Sequence, residues 1–189
     1  MSELTFTDKI LAKTILLFFP RSITPNQVTL FRFFSIPFVA YLFIAEFYVA
    51  GLILFFMSSF SDAIDGSLAR TRGQITEWGK IYDPLADKIL IGISAIILVS
   101  KYISIYLAIT IVVIELFIII SAYYRKRVKG IPIEVEVSGK AKMVLQSLGI
   151  GAILFSLVFS LPAFIVIAQY FLYLSIIFAI ISLVVYKSI

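Results

Sequence analysis

The sequence predicts an all-α integral membrane protein, with six transmembrane helices and an N-terminal interfacial amphipathic helix. Three observations predict it. Of the 189 residues, 61% are hydrophobic and 14% charged, against about half and about a quarter in a soluble globular domain. The apolar stretches allow roughly five or six spans at about twenty residues each. Short polar or Pro-containing connections separate them, which suits one compact bundle. Residues 1–189 therefore read as a single membrane domain, with 1–21 the interfacial helix and 22–189 the bundle.

In the opening segment Leu4, Phe6, Ile10, Leu11, Ile15 and Leu16 share one helical face, with Lys9 and Lys13 on another. Such a helix lies in the bilayer interface. Without a basic leader or a small-residue cleavage site, it does not read as a secretory signal. Ser22-Ile23-Thr24-Pro25-Asn26 marks a helix start, with Pro in the first turn. The first span runs from about Gln27 to Tyr48, with Pro37 as a possible kink. The second runs from about Ala50 to Thr71, and Arg72-Gly73-Gln74 is the turn. The third runs from near Glu77 to Ser100 and the fourth from Tyr102 to Tyr124. Residues 125–142 form a polar connection with Gly130 and Pro132 as breakers. The fifth span covers about Met143–Ser160 and the sixth about Phe164–Tyr186.

In this arrangement Arg21, Arg70, Arg72, Lys80, the Arg125–Lys129 cluster, Lys140, Lys142 and Lys187 fall on one side. Only Lys101 clearly falls on the other. The positive-inside rule turns the rich side and both termini to the cytoplasm. This places the chain as a multi-pass protein of the cell (cytoplasmic) membrane. The net charge of +5 is thus a one-sided field, suited to anionic headgroups and phosphorylated substrates. It does not suit nucleic acid. Cysteine and histidine are both absent, which excludes disulfides, thiolate metal sites and imidazole chemistry. The remaining ligands are hard oxygens, which favour Mg²⁺, Mn²⁺ or Ca²⁺.

Four aspartates, Asp62, Asp65, Asp83 and Asp87, fall within 26 residues of this apolar chain. Carboxylates at membrane depth are costly, rare and usually functional. Asp62, Asp65, Gly66 and Ala69 share one helical face, and Gly79, Asp83 and Asp87 share a face of the next helix. The short turn predicts antiparallel neighbours whose carboxylates converge on one or two divalent cations. The alternative is a structural ion-pair network with Arg70, Arg32, Lys80 and Lys88. Gly66, Ala69 and Gly79 leave room between the helices. On spacing alone that room favours helix packing over a slot for a flat ligand. Arg70, one turn after Asp65 and Gly66, suits a phosphate.

The pattern Asp62-x2-Asp65-Gly66-x2-Ala69-Arg70-x8-Gly79-x3-Asp83-x3-Asp87 resembles the signature of the CDP-alcohol phosphotransferases at all eight defining positions. Thr24-Pro25-Asn26-Gln27-Val28-Thr29-x2-Arg32 resembles that family's entry into its first span. Asp83-Pro84-Leu85-Ala86-Asp87-Lys88 and Ser138-Gly139-Lys140-x-Lys142 resemble the glycerophosphate branch, the phosphatidylglycerophosphate synthases, and the first of them also CMP-forming cardiolipin synthases.

The resemblance implies a six-helix fold, usually a homodimer, with its site open to the cytoplasm and to lipid. It implies a CDP-lipid substrate, a small polar alcohol acceptor and two Mg²⁺ or Mn²⁺ ions. Asp62, Asp65, Asp83 and Asp87 would hold the metals, and Asp87 would also be the general base. Gly66, Ala69 and Gly79 would make room for cytidine, and Arg70 would hold the CDP phosphates. Asn26 and Thr29 would approach the nucleotide. For an acceptor bearing its own phosphate, the candidate ligands are Arg125, Arg127, Lys140 and Lys142. Glycerol 3-phosphate is the best-matched acceptor, with phosphatidylglycerol, an inositol phosphate or an amino alcohol as alternatives. One departure bears on this choice. Typical phosphatidylglycerophosphate synthases carry an Arg immediately before a fourth-span Glu, whereas Ile114 precedes Glu115 here. Glu115 itself is expected to be buried, paired and facing the substrate cavity. Outside the family, an ion path through a cation transporter and a non-catalytic scaffold are the other classes.

Overall fold

The computed structural model describes residues 20, 23–74, 76–128 and 137–185. The expected interfacial helix over 1–21 lies outside them, apart from Pro20. Among the described residues there are six long helices and no strand: α1 Pro25–Ile44, α2 Tyr48–Thr71, α3 Glu77–Ser94, α4 Ile105–Val128, α5 Val137–Phe159 and α6 Ala163–Val185. A π-helical turn, Ala95–Val99, and a last helical turn, Ser100–Tyr102, extend α3.

Four helical stretches are long and apolar enough to cross a membrane: Pro25–Ile44, Tyr48–Thr71, Gly139–Phe159 and Ala163–Leu183. A shorter apolar stretch, Ile105–Ser121, lies in α4. α3 differs from these in carrying Asp83, Asp87 and Lys88 in its middle turns. Large apolar side chains point outward, among them Phe34, Phe38 and Tyr41 on α1 and Tyr170, Tyr173 and Ile177 on α6. An apolar exterior is the solvent-facing surface that lipid selects.

Local chemistry explains the helix ends. Thr24 precedes α1 with Pro25 in the first turn, and its N–H donates to Gln27 Oε1 at 2.9 Å, half of a capping box. α1 continues through Pro37. It stops at Ile44, four residues before the expected end, because Ala45–Phe47 makes a tight turn with Glu46 at φ 62°. α2 ends on Gly73, whose φ of 65° suits a residue without Cβ. Thr76 caps α3 by accepting from Gly79 N–H at 3.0 Å, and its hydroxyl donates to Asn26 Oδ1 at 2.8 Å. The N-termini of α1 and α3 are thereby stitched together.

α5 begins at Val137 rather than near Met143. Lys140 and Lys142, expected in a polar connection, therefore stand in its first turns. The start shifts because Lys142 is buried against α4 and has an ionic partner there.

The core is built from Ile36, Val39 and Phe43 of α1, Phe55 of α2, Leu90 and Ile91 of α3, Ile111 of α4, Ile153 and Leu154 of α5 and Leu172 of α6. α5 and α6 pack most closely. A Cβ on Gly149 would come within 2.7 Å of Leu172 Cγ, so the glycine lets the two backbones approach. At the end opposite the aspartates, Tyr48 hydrogen-bonds Tyr102 and Lys101 pairs with Glu46.

The contact pattern corrects one expectation. α2 and α3 barely touch each other, while each packs against α1. The short turn sets their order in the chain, but α1 is the common neighbour that brings their polar faces together.

Candidate active site

The four aspartates meet around one side chain of α1. Arg32 is fully buried. Its Nη2 donates to Asp65 Oδ2 at 2.8 Å. Its Nη1 donates to Asp87 Oδ1 at 2.7 Å and to Asp62 Oδ1 at 3.1 Å. Nε donates to Ser61 Oγ at 3.1 Å, and the Ser61 hydroxyl in turn donates to the Ser58 carbonyl at 2.7 Å. Asp83 joins through its backbone carbonyl, 3.5 Å from Arg32 Nη1. Its carboxylate accepts from the Thr29 hydroxyl at 2.5 Å. Thr29 Oγ1 also lies 3.4 Å from Asp65 Oδ2.

Thr29, expected beside a nucleotide, thus belongs to the carboxylate cluster. Asn26 lies at its edge, bonded to Thr76 and near Gly79. Of the network partners weighed from sequence, Arg32 is the one at the centre. Ser61 was not singled out, although a serine beside buried carboxylates is a signal that such a network needs acceptors.

Among the described residues no three acidic side chains stand as a ready-made cation cage. The donor set nevertheless fits a hard divalent cation. Among the described hydrogen bonds, four carboxylates gather around one guanidinium, an excess of acidic groups. Asp65 is buried, and its Oδ1 has no hydrogen-bond partner. Asp62 is half-exposed, so the cluster opens on one side. An orphaned buried carboxylate oxygen is costly and offers a ligand to a cation.

Gly66 and Gly79 lie beside polar side chains of the cluster. The nearest neighbours of a Cβ on Gly66 would be the Arg70 guanidinium, with both Nη atoms at 3.3 Å. Those of one on Gly79 would be Thr76 Oγ1 at 3.2 Å, Asp83 Oδ2 at 3.3 Å and Asn26 Oδ1 of α1 at 3.6 Å. Arg70 folds its guanidinium over Gly66, one turn from Asp65. Ala69, between them, is half-buried.

A second buried polar group lies between α4 and α5. Lys142 Nζ is 2.6 Å from Glu115 Oε1, and both side chains are almost wholly buried. Gln146 Nε2 donates to the same oxygen at 3.1 Å. Glu115 Oε2 and Gln146 Oε1 have no partner. Lys88 lies within electrostatic reach of Glu115, Lys142 and Asp87, so it links the two clusters. Lys140, by contrast, is exposed. The side chains of Arg125 and Arg127 lie outside the described residues.

Fold and site together define a helical membrane protein with a polyacidic centre held among its first three helices. The family model for CDP-alcohol phosphatidyltransferases matches residues 22–181. A CDP-diacylglycerol–glycerol-3-phosphate 3-phosphatidyltransferase from Wigglesworthia glossinidia brevipalpis is 32% identical over 171 residues, covering 86% of this chain and 91% of that protein. Proteins of the same name from Rickettsia typhi and Bacillus subtilis are 39% identical over 80 residues and 37% over 91. These two matches cover 41% and 40% of this chain, and only 45% and 47% of the relatives' own lengths. The chain belongs to the CDP-alcohol phosphatidyltransferase family, which is in general metal-dependent and implies CDP-lipid and alcohol substrates.

Proposed function

We propose that the protein transfers a phosphatidyl group, or its diether counterpart, from a CDP-lipid to glycerol 3-phosphate, with release of CMP. The observation that carries this reading is the gathering of Asp62, Asp65, Asp83 and Asp87 at one point, with Gly66, Gly79 and Arg70 bordering its open side. The names of the relatives support the acceptor.

Asp62, Asp65, Asp83 and Asp87 would hold two Mg²⁺ or Mn²⁺ ions, which would supply charge neutralisation and alignment of the diphosphate. Gly66, Ala69 and Gly79 receive the cytidine, with Asn26 and Thr29 at the inner edge, and Arg70 pairs with the CDP phosphates. Asp87 accepts the proton of the acceptor hydroxyl. The acceptor oxygen then forms a bond to the β-phosphorus, and the bond from that phosphorus to the CMP oxygen breaks. Lys142 and its neighbour Lys88 meet the acceptor phosphate in place of the arginine absent at Ile114. Lys140 and the Arg125–Arg127 segment remain candidates at the rim. The working unit is a homodimer of six-span chains in the cytoplasmic membrane, with the site and both termini on the cytoplasmic side.

The test is CMP release by purified protein given CDP-diacylglycerol, Mg²⁺ and a panel of acceptors. Release with glycerol 3-phosphate, and none from Asp87→Asn, is the expected result. Release only with phosphatidylglycerol, an inositol phosphate or an amino alcohol would overturn the acceptor and keep the family chemistry.

A further inference from the structure

Arg32 is a permanently charged group at the centre of the carboxylate cluster. A guanidinium keeps its proton at any physiological pH and offers five N–H donors in a rigid fork. Five hydrogen bonds are accounted for: Nη1 to Asp87, Asp62 and, at 3.5 Å, the Asp83 carbonyl, Nη2 to Asp65 and Nε to Ser61. The Ser61 bond is directional. Because the Ser61 hydroxyl donates to the Ser58 carbonyl, its oxygen is free to accept from Nε. The head is therefore held from the α2 side and aimed at the carboxylates.

The same Nη1 bridges Asp62 on α2 and Asp87 on α3. A divalent cation that takes those Oδ1 atoms would have to displace Nη1; one bound only through the second oxygen of each carboxylate would still sit beside a fixed positive charge that opposes it.

We propose that Arg32 is the built-in counter-cation of this cluster, competing with the divalent cation for Asp62 and Asp87 and so setting the concentration at which the cation binds. The inference rests on the metal-dependent reading above. On cation binding Nη1 releases Asp62 and Asp87, while Nη2 keeps Asp65 Oδ2 and Nε keeps Ser61. Asp65 Oδ1, buried and without a partner, is the oxygen left for the cation. Between cation-binding events the arginine keeps four mutually repelling carboxylates gathered. Arg32 is thus a positioning residue, acting on the reaction through the aspartates.

Mn²⁺ binding to the purified full chain, followed by electron paramagnetic resonance, tests this. Arg32→Lys is the informative variant. It keeps the positive charge, so the long-range field is preserved, but a single ammonium cannot span three carboxylates on two helices. Competition predicts that the Mn²⁺ dissociation constant falls by about threefold or more in Arg32→Lys and by about tenfold or more in Arg32→Gln. Both variants should melt lower than wild type in EDTA and recover a larger share of that loss on adding Mn²⁺. A purely structural arginine would lower the melting temperature without tightening Mn²⁺. An unchanged or weaker affinity in folded Arg32→Lys therefore overturns the proposal, whether or not Arg32→Gln folds. If wild-type protein binds no Mn²⁺ at all, the metal-dependent reading itself fails, and this inference fails with it.

Discussion

The molecule buries two ionic clusters, and they differ in charge balance. Around Arg32, among the described hydrogen bonds, three carboxylates share one guanidinium and a fourth stands beside them. Between α4 and α5 one carboxylate, Glu115, faces one ammonium, Lys142. Burying a charge is expensive unless it is paired, so a cluster selected only for stability would come close to balance. The second does. The first does not, and its excess of acidic groups reads as room left for a divalent cation.

The comparison breaks most severely at the first cluster. Asp65→Ala should cost about 3 kcal/mol, because it leaves the buried Arg32 Nη2 donor without its partner although Asp62 and Asp87 still pair the charge. Unfolding in detergent would measure it, and a change below about 1 kcal/mol would mean that water or another acidic group replaces Asp65. The second cluster should separate stability from binding. Lys142→Met leaves the buried Glu115 with the Gln146 amide as its hydrogen-bond partner and should cost about 2 kcal/mol. The double variant Glu115→Gln/Lys142→Met should regain most of that stability, yet keep a raised KM for a phosphate-bearing acceptor. If KM recovers as well, Lys142 serves packing and not the acceptor. The smallest effect belongs to Lys101, whose pair with Glu46 is exposed at the far end of the bundle. Exposed pairs contribute little, so Lys101→Ala should leave melting and CMP release unchanged within error.

Periodicity within a helix was readable from the chain. The spacing of Asp62 and Asp65 and of Gly79 to Asp87 matched the faces that the structure presents, and the apolar stretches matched the long helices, four of which among the described residues are long and apolar enough to cross a membrane. Spacing carries no information about which helix comes third into a contact. Arg32 lies 29 to 55 residues from Ser61, Asp62, Asp65 and Asp87, so no local pattern joins them. The signal was its position inside an apolar span, since an intramembrane charge needs an opposite partner and four aspartates were the main candidates. The start of α5 was missed for a similar reason. Lys140 and Lys142 read as loop residues until Glu115, on another helix, supplied the partner that makes burial of Lys142 possible. For the small residues, a gap between helices looks the same in sequence whether a backbone or a ligand fills it.

The order of the chain has a consequence for how the protein enters the bilayer. Arg32 is the eighth residue of α1 and is synthesised before any of its carboxylate partners. An isolated span carrying a central arginine is penalised by about 2.5–3.5 kcal/mol at the insertion machinery, and the two spans that follow each bring aspartates of their own. None of the three is a comfortable passenger in lipid by itself, but together they cancel most of one another's charge. The first three helices should therefore leave the translocon as a group, with α1 retained until α3 has emerged, whereas the uncharged α6 can move into lipid as soon as it is made.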